Sequence, residues 1–208
     1  ICTLYWEPLF GFIRRSGFGR EDAEDLVQEF LARVLDRDLL AYVTADKGRL
    51  RSWLLALLKP FLLERRKHDG AMKRGGGSVL LSIDSAEADR WYSEIPQDSL
   101  TPEDVFEQRW ATTILGRAVE VLAGEYSKSG RGEFFDELIP HLQWQGDGGR
   151  SYAESGEKLG MSEGAVKVAV YRLRRRYRDV LRAEVADTLG PGELVDDEIK
   201  HLFGMLRE

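Results

Sequence analysis

Apolar residues recur at helical spacing along most of the chain, and short polar breaks rich in glycine separate these segments. In residues 22–36 the apolar positions follow the i, i+3, i+4, i+7 pattern, and Asp22 is predicted to cap this helix. The other predicted helices comprise residues 4–15, 51–67, 103–124, 133–144, 151–159, 162–178 and an amphipathic segment within 193–208. Because no β-rich segment of any length is present, the predicted fold class is all-α.

Proline and glycine positions predict how the helices group into domains. Pro60 should kink the helix over 51–67 or split it in two. The glycines of 71–78 end a first domain, and Thr101-Pro102 is typical of a new helix start. We therefore predict two small helical domains joined by a linker. The predicted boundaries are 1–74 for the first domain, 75–102 for the linker, 103–190 for the second domain and 191–208 for a C-terminal extension.

The composition argues against several functional classes. The single cysteine, Cys2, excludes an intramolecular disulfide framework, and the three histidines have no metal-ligand spacing. No apolar run approaches the ~20 residues that span a bilayer, and no signal peptide is recognised, so we expect a soluble, cytoplasmic protein without a membrane partner. No nucleophile–base pair is evident either. We expect no enzymatic activity, no cofactor, no metal and no small-molecule substrate.

The charge distribution is more informative than the net charge of −6. Residues 49–74 contain eight lysines and arginines against two acids, and residues 162–182 contain seven against two. The rest of the chain is strongly acidic. Two basic blocks on an acidic chain suggest a polyanion that is contacted at two places, whereas a solvated basic face is the alternative for either block alone.

The second basic block has the pattern of a helix-turn-helix. Gly160 can adopt the left-handed conformation that ends a first helix, and Ser162 can cap a second. One stripe of the second helix should face the core; it comprises Val166, Val170, Leu173 and Tyr177. The pattern predicts DNA binding, with a helical hairpin that merely exposes a basic face as the alternative. Ser155-Gly156 depart from the pattern, because larger apolar residues are expected there.

Two ordered motifs resemble conserved regions of the extracytoplasmic-function sigma factors of bacterial RNA polymerase. The motif DAEDLVQEFLARVL (22–35) followed by GRLRSWLLALLKPFLLERRK (48–67) resembles their region 2, and SYAESGEKLGMSEGAVKVAVYRLRRRYR (151–178) resembles their region 4. The DAEDLVQEF and VAVYRLRRRYR segments look most like a subgroup known from planctomycete-type bacteria. The resemblance implies a sigma region 2 bundle in 1–74 and a region 4 helix-turn-helix in 103–190.

The resemblance also implies partners. These are the core RNA polymerase, through its β′ clamp and β flap, and promoter DNA, with an anti-sigma factor as a further candidate. The residues implied to bind the β′ clamp are Glu24, Asp25, Gln28, Glu29 and Arg33. A solvated helix face is the alternative for this set.

The two basic blocks are implied to contact the two promoter elements. The residues implied at the −35 element are Ser162, Glu163, Gly164, Lys167, Val168, Tyr171, Arg172, Arg174, Arg175 and Arg178. The residues implied at the melted −10 element are Asp46, Lys47, Gly48, Arg49, Arg51, Ser52, Trp53, Lys59, Arg65, Arg66 and Lys67. For Trp53, a core position is the alternative to base stacking. Pro60 and Ala169 depart from the family pattern, so the promoter sequences are not predicted.

The predicted function is therefore promoter recognition and DNA melting in transcription initiation. The alternative is a helix-turn-helix regulator whose N-terminal domain senses a signal or dimerises. The C-terminal extension is predicted to pack on its own domain, with regulator docking as its alternative.

Overall fold

The computed structural model describes residues 2–36, 49–73, 100–142, 151–190 and 192–206, and all regular secondary structure in these ranges is helical. The helices are α1 (Cys2–Arg15), α2 (Arg20–Asp36), α3 (Leu50–Lys73), α4 (Pro102–Lys128), α5 (Gly132–Leu138), α6 (Tyr152–Leu159), α7 (Glu163–Ala186) and α8 (Val195–Met205), with a 3-10 helix at Ile139–Leu142. The all-α prediction is confirmed for the described ranges. Most of the predicted linker lies outside them.

The chain divides into two compact units. Unit 1 comprises Ile1–Ala111, Thr188–Glu193 and Gly204–Glu208, and unit 2 comprises Thr112–Asp187 and Leu194–Phe203. The division falls inside α4, whereas the sequence predicts that the second domain begins at residue 103. The reason is an apolar face on the first three turns of α4, where Phe106 and Trp110 are fully buried. The ring of Phe106 stacks on Tyr5 of α1 with 6.4 Å between centroids, so these turns belong to unit 1.

Apolar side chains of α1, α2 and α3 form the rest of the core of unit 1. The rings of Phe30 in α2 and Phe61 in α3 are 5.6 Å apart. Of the two outcomes predicted for Pro60, the split is wrong, because the helix continues from Leu50 to Lys73, and the kink stays a prediction. Pro60 itself is exposed, while Leu58, Phe61 and Leu62 beside it are buried. Burial of these neighbours offsets the cost, about 3 kcal/mol, of a proline inside a helix.

In unit 1, two helix starts were predicted from capping residues, and one of these predictions is wrong. Thr101 and Asp104 exchange hydrogen bonds at the start of α4: the Asp104 N–H donates to Thr101 Oγ1 (3.1 Å), and the Thr101 N–H donates to Asp104 Oδ2 (2.8 Å). The predicted cap with proline at the first helical position is confirmed. Asp22, however, is not a cap. Helix α2 begins at Arg20, so Asp22 lies in its first turn, where its charge still favours the positive end of the helix dipole.

Unit 2 contains the later turns of α4 together with α5 to α7 and most of α8. On α7, Val166, Val170 and Leu173 are buried as predicted. Tyr177 on the same stripe is partly buried, and its hydroxyl donates to the Leu115 carbonyl at 3.3 Å. Burial raises the pKa of Tyr177 to about 12. Leu202 of α8 is fully buried, so the C-terminal helix contributes to a core.

Candidate functional site

Helices α6 and α7, joined by a short turn, cover the segment in which the sequence predicts a helix-turn-helix. Helix α6 begins with a capping box, in which Ser151 and Glu154 exchange hydrogen bonds of 3.2 and 2.7 Å. It ends at Gly160, whose φ of +64° confirms the left-handed prediction. The Met161 N–H donates to the Gly156 carbonyl at 2.8 Å, as expected for this type of helix end. Ser162 caps α7 as predicted, its Oγ accepting from the Ala165 N–H at 3.3 Å.

The unusual pair Ser155-Gly156 has a structural explanation. Both residues are buried on the inner side of α6. A Cβ placed on Gly156 would lie only 2.7 Å from the Met161 carbonyl oxygen, so the turn folds back too closely for any side chain there. The Ser155 hydroxyl donates to Glu137 Oε1 of α5 at 2.9 Å and contacts His141 Nε2 at 2.9 Å. The small residues therefore allow a tight turn and a buried polar connection that joins α5 to α6.

We expect Gly156→Ala to destabilise unit 2 by about 1–3 kcal/mol, because the clash is with backbone that cannot rotate away. Gly116→Ala is the matched control: it is also inside a helix, but a Cβ there meets nothing within 4 Å. That control should be neutral or stabilising by up to about 1 kcal/mol. Thermal unfolding followed by circular dichroism measures both variants. Equal stability of the two would contradict this account of the turn.

The ten residues predicted for the −35 contact are all exposed on α7 and its cap. We call the side of α7 opposite the buried stripe its outer face; it carries Gly164, Lys167, Val168, Tyr171, Arg175 and Arg178. Arg172 and Arg174 flank it. Two apolar side chains are unusually open there: Val168 is 50% exposed and Tyr171 is 67% exposed. The structure thus brings the predicted set together on one surface.

The cations of this surface differ in their partners. Lys167 Nζ lies 2.6 Å from Glu163 Oε1, and this hydrogen bond raises the pKa of Lys167. The Arg174 guanidinium donates to the His141 carbonyl at 2.7 Å. In the part of the chain that the structure describes, Arg172, Arg175 and Arg178 have no ion-pair or hydrogen-bond partner. These three arginines are therefore the cations of α7 that remain available for a ligand.

Arg176 points away from the outer face and is tied to α4. Its Nε donates to Glu125 Oε2 at 3.0 Å, and a second nitrogen pairs with the other carboxylate oxygen. This pairing raises the pKa of Arg176 and lowers that of Glu125. The run Arg174-Arg175-Arg176 thus contains three different environments, which the sequence alone does not separate.

The residues predicted for the −10 contact do not share one environment: some lie at the surface, one is buried, and three are not described. Asp46, Lys47 and Gly48 lie outside the described residues. Arg51 does not fit its predicted contact with the −10 element, because its side chain is only 2% exposed. Its guanidinium lies 4.4 Å from the Trp110 ring centroid, and its Nε is 3.0 Å from Glu107 Oε2. A buried, paired arginine presents no charge to a nucleic acid, so Arg51 is a core residue of unit 1.

The other described members of the −10 set lie partly or fully at the surface. Ser52 is exposed and Trp53 is partly buried, which leaves both predicted roles of Trp53 open. Most of the cations are held by carboxylates or backbone. The pairs are Arg49–Glu193 (3.8 Å), Lys59–Glu103 (2.7 Å) and Arg65–Glu29 (3.3 Å), together with Arg66 on the Ser16 carbonyl and over the Phe18 ring. Within the described ranges, Lys67 alone of these cations has no such partner. Phosphate contacts by the others would require exchange of these exposed pairs.

On α2, three of the five residues predicted to bind the polymerase already form ion pairs within the chain. Glu24 pairs with Arg20 (2.9 Å), Glu29 with Arg65 (3.3 Å) and Arg33 with Glu64 (3.6 Å). Asp25 and Gln28 are exposed and have no such contacts within the described chain. Asp36, which helical spacing places on the same side, is also exposed and was not predicted. The exposed residues Asp25, Gln28 and Asp36 therefore give this side of α2 an acidic and polar surface.

In the described part of the chain, no helix has both the length and the apolar character needed to cross a bilayer. Comparison of the chain with family models, with curated proteins and with solved structures returned no match.

Proposed function

We propose that this protein is a promoter-specificity subunit of RNA polymerase, of the sigma type, in which α6 and α7 bind the −35 element as duplex DNA. The observation that carries the proposal is the outer face of α7. Its helix is capped, its inner stripe is buried, and Arg175 and Arg178 extend from the exposed side with Arg172 at the edge. A helix of this kind after a tight turn fits the major groove, where its arginines can neutralise phosphates.

The resemblance of residues 22–67 to region 2 supports the sigma type over a simple regulator. In the proposed sequence of events, Asp25 and Gln28 dock on the core polymerase and α7 binds the −35 duplex. Surface residues of α3 and the segment before it then capture the melted −10 strand. Unpaired bases are held by stacking and by cations along the backbone. Among the described cations of the predicted −10 set, Lys67 could act without exchanging a partner.

The proposal predicts that the protein lets purified core RNA polymerase start transcription from a promoter selected for binding. The double variant Asp25→Ala/Gln28→Ala should bind the core at least 10-fold more weakly, because both side chains are exposed and have no partner in the described chain that they would have to exchange on binding. It should bind duplex DNA like the unmodified protein. Initiation is measured by run-off transcription, and core binding by fluorescence anisotropy.

Glu120→Ala is the matched control, since Glu120 is another exposed carboxylate without a partner in the described chain. It should change neither measurement. A protein that binds duplex DNA specifically but neither binds the core nor supports initiation would instead be a helix-turn-helix regulator. Equal loss of core and DNA binding in the double variant would show that the two surfaces are not separate.

A further inference from the structure

The outer face of α7 is divided along its length into a charge-neutral part and a basic part. In the N-terminal part, Lys167 is 2.6 Å from the Glu163 carboxylate, so the two formal charges cancel. The arginines that have no partner among the described residues lie further along the helix, at positions 172, 175 and 178. The part that precedes them therefore has no free cation to offer to a phosphate.

Two apolar side chains lie where this neutral part meets the arginines. Val168 is 50% exposed and Tyr171 is 67% exposed. They are three positions apart, so they are neighbours on the helix surface. The arginines without partners in the described chain favour a ligand with negative charges along its edges. The exposed apolar pair favours a ligand that also has an apolar group between those charges.

Duplex DNA has these properties in its major groove. The phosphates line the rims, and the floor carries one apolar group, the C5-methyl of thymine. A recognition helix places its N-terminal residues toward the base edges and its later residues toward the backbone. The order along α7, apolar pair first and free arginines around and after it, matches this arrangement.

We propose that Val168 and Tyr171 read thymine methyl groups, so that the preferred duplex carries at least one thymine whose methyl packs against this pair. This inference rests on the proposed binding of duplex DNA by α7. It adds a specificity determinant to that function, with Arg175 and Arg178 supplying affinity that does not depend on sequence.

The test replaces thymine by deoxyuridine, which removes only the methyl group. The probe is the tightest-binding duplex selected from a random pool by the full-length protein, with and without core polymerase, and each thymine is replaced in turn. At one or more positions the Kd should rise about fourfold, which corresponds to about 0.8 kcal/mol for one buried methyl group. In Val168→Ala or Tyr171→Ala the ratio of the two Kd values at that position should fall toward one.

Two further variants separate side-chain contact from a general loss of structure. Tyr171→Phe keeps the ring and should keep the ratio. Val121→Ala alters another exposed valine, on α4 and 38% exposed, and should leave both Kd values unchanged.

The outcomes distinguish this inference from the function on which it rests. Specific duplex binding with no effect of deoxyuridine at any position would overturn the thymine contact and leave the DNA-binding proposal intact. A fourfold effect that persists in both alanine variants would also overturn it. If no duplex is bound specifically, with or without core polymerase, the proposed function fails and the inference fails with it.

Discussion

Replacement of Arg51 by alanine is expected to destabilise unit 1 by about 3 kcal/mol and to lower the Tm by roughly 6–12 °C. The arginine is 2% exposed and Glu107 is 22% exposed, so the change removes the Arg51 charge from beside a largely buried carboxylate. It also removes a cation that lies 4.4 Å from the Trp110 ring centroid. Burial lowers the pKa of Arg51, while the Glu107 carboxylate opposes that shift and favours the charged form.

Arg65→Ala is the control for this prediction, because Arg65 and Glu29 also form an ion pair but are 46% and 48% exposed. Its cost should stay below about 1 kcal/mol. The double variant Arg51→Met/Glu107→Leu should recover most of the lost stability, since an apolar pair carries no desolvation penalty. Thermal and denaturant unfolding by circular dichroism measure all three. If Arg51→Ala costs no more than Arg65→Ala, Arg51 is not the core residue described above.

Replacement of Arg175 and Arg178 by alanine is expected to weaken duplex DNA binding about 30-fold at 0.15 M salt, through the loss of two phosphate contacts. Both side chains are exposed on the outer face of α7 and have no partner in the described chain. The plot of log K against log salt concentration should become shallower by about 2, because two fewer counterions are released. Fluorescence anisotropy at several salt concentrations gives both quantities.

Arg176→Ala is the control for the Arg175/Arg178 double variant. Its guanidinium is paired with both oxygens of Glu125, so Arg176→Ala should leave the salt slope unchanged and cost at most about 1 kcal/mol of stability. Arg176→Ala and the double variant thus alter neighbouring arginines in one helix with opposite expectations for DNA. A salt slope that falls equally in both would mean that charge density alone, rather than the geometry of α7, determines binding.

The helices and their ends could be predicted from the sequence because they depend on local interactions. The capped start of α4 at Thr101, the left-handed Gly160 and the Ser162 cap each involve residues within one helical turn. The buried stripe of α7 follows from the 3.6-residue period. The start of α2 at Arg20 and the continuity of α3 through Pro60 differ from the predicted cap at Asp22 and the predicted split. Local preference alone does not include the packing of buried residues such as Leu58 and Phe61, which favours a continuous α3.

The partner of each charged side chain depends on residues far apart in sequence. Arg51 meets Glu107 and Trp110, and Arg176 meets Glu125. In the sequence all of these arginines belong to basic blocks and look alike. Only the fold shows that one is buried, that another is paired across helices, and that Arg175 has no partner among the described residues.

The sequence by itself therefore determined the helical class, the helix-turn-helix and the set of residues on its exposed side. These follow from spacing along one chain segment and from the conformations open to glycine, serine and proline. The tertiary structure decided which charges remain available, why Gly156 is required, and where Val168 and Tyr171 stand relative to the free arginines. Those properties depend on which helices pack together, and pairing energies between distant residues leave no periodic pattern in the sequence.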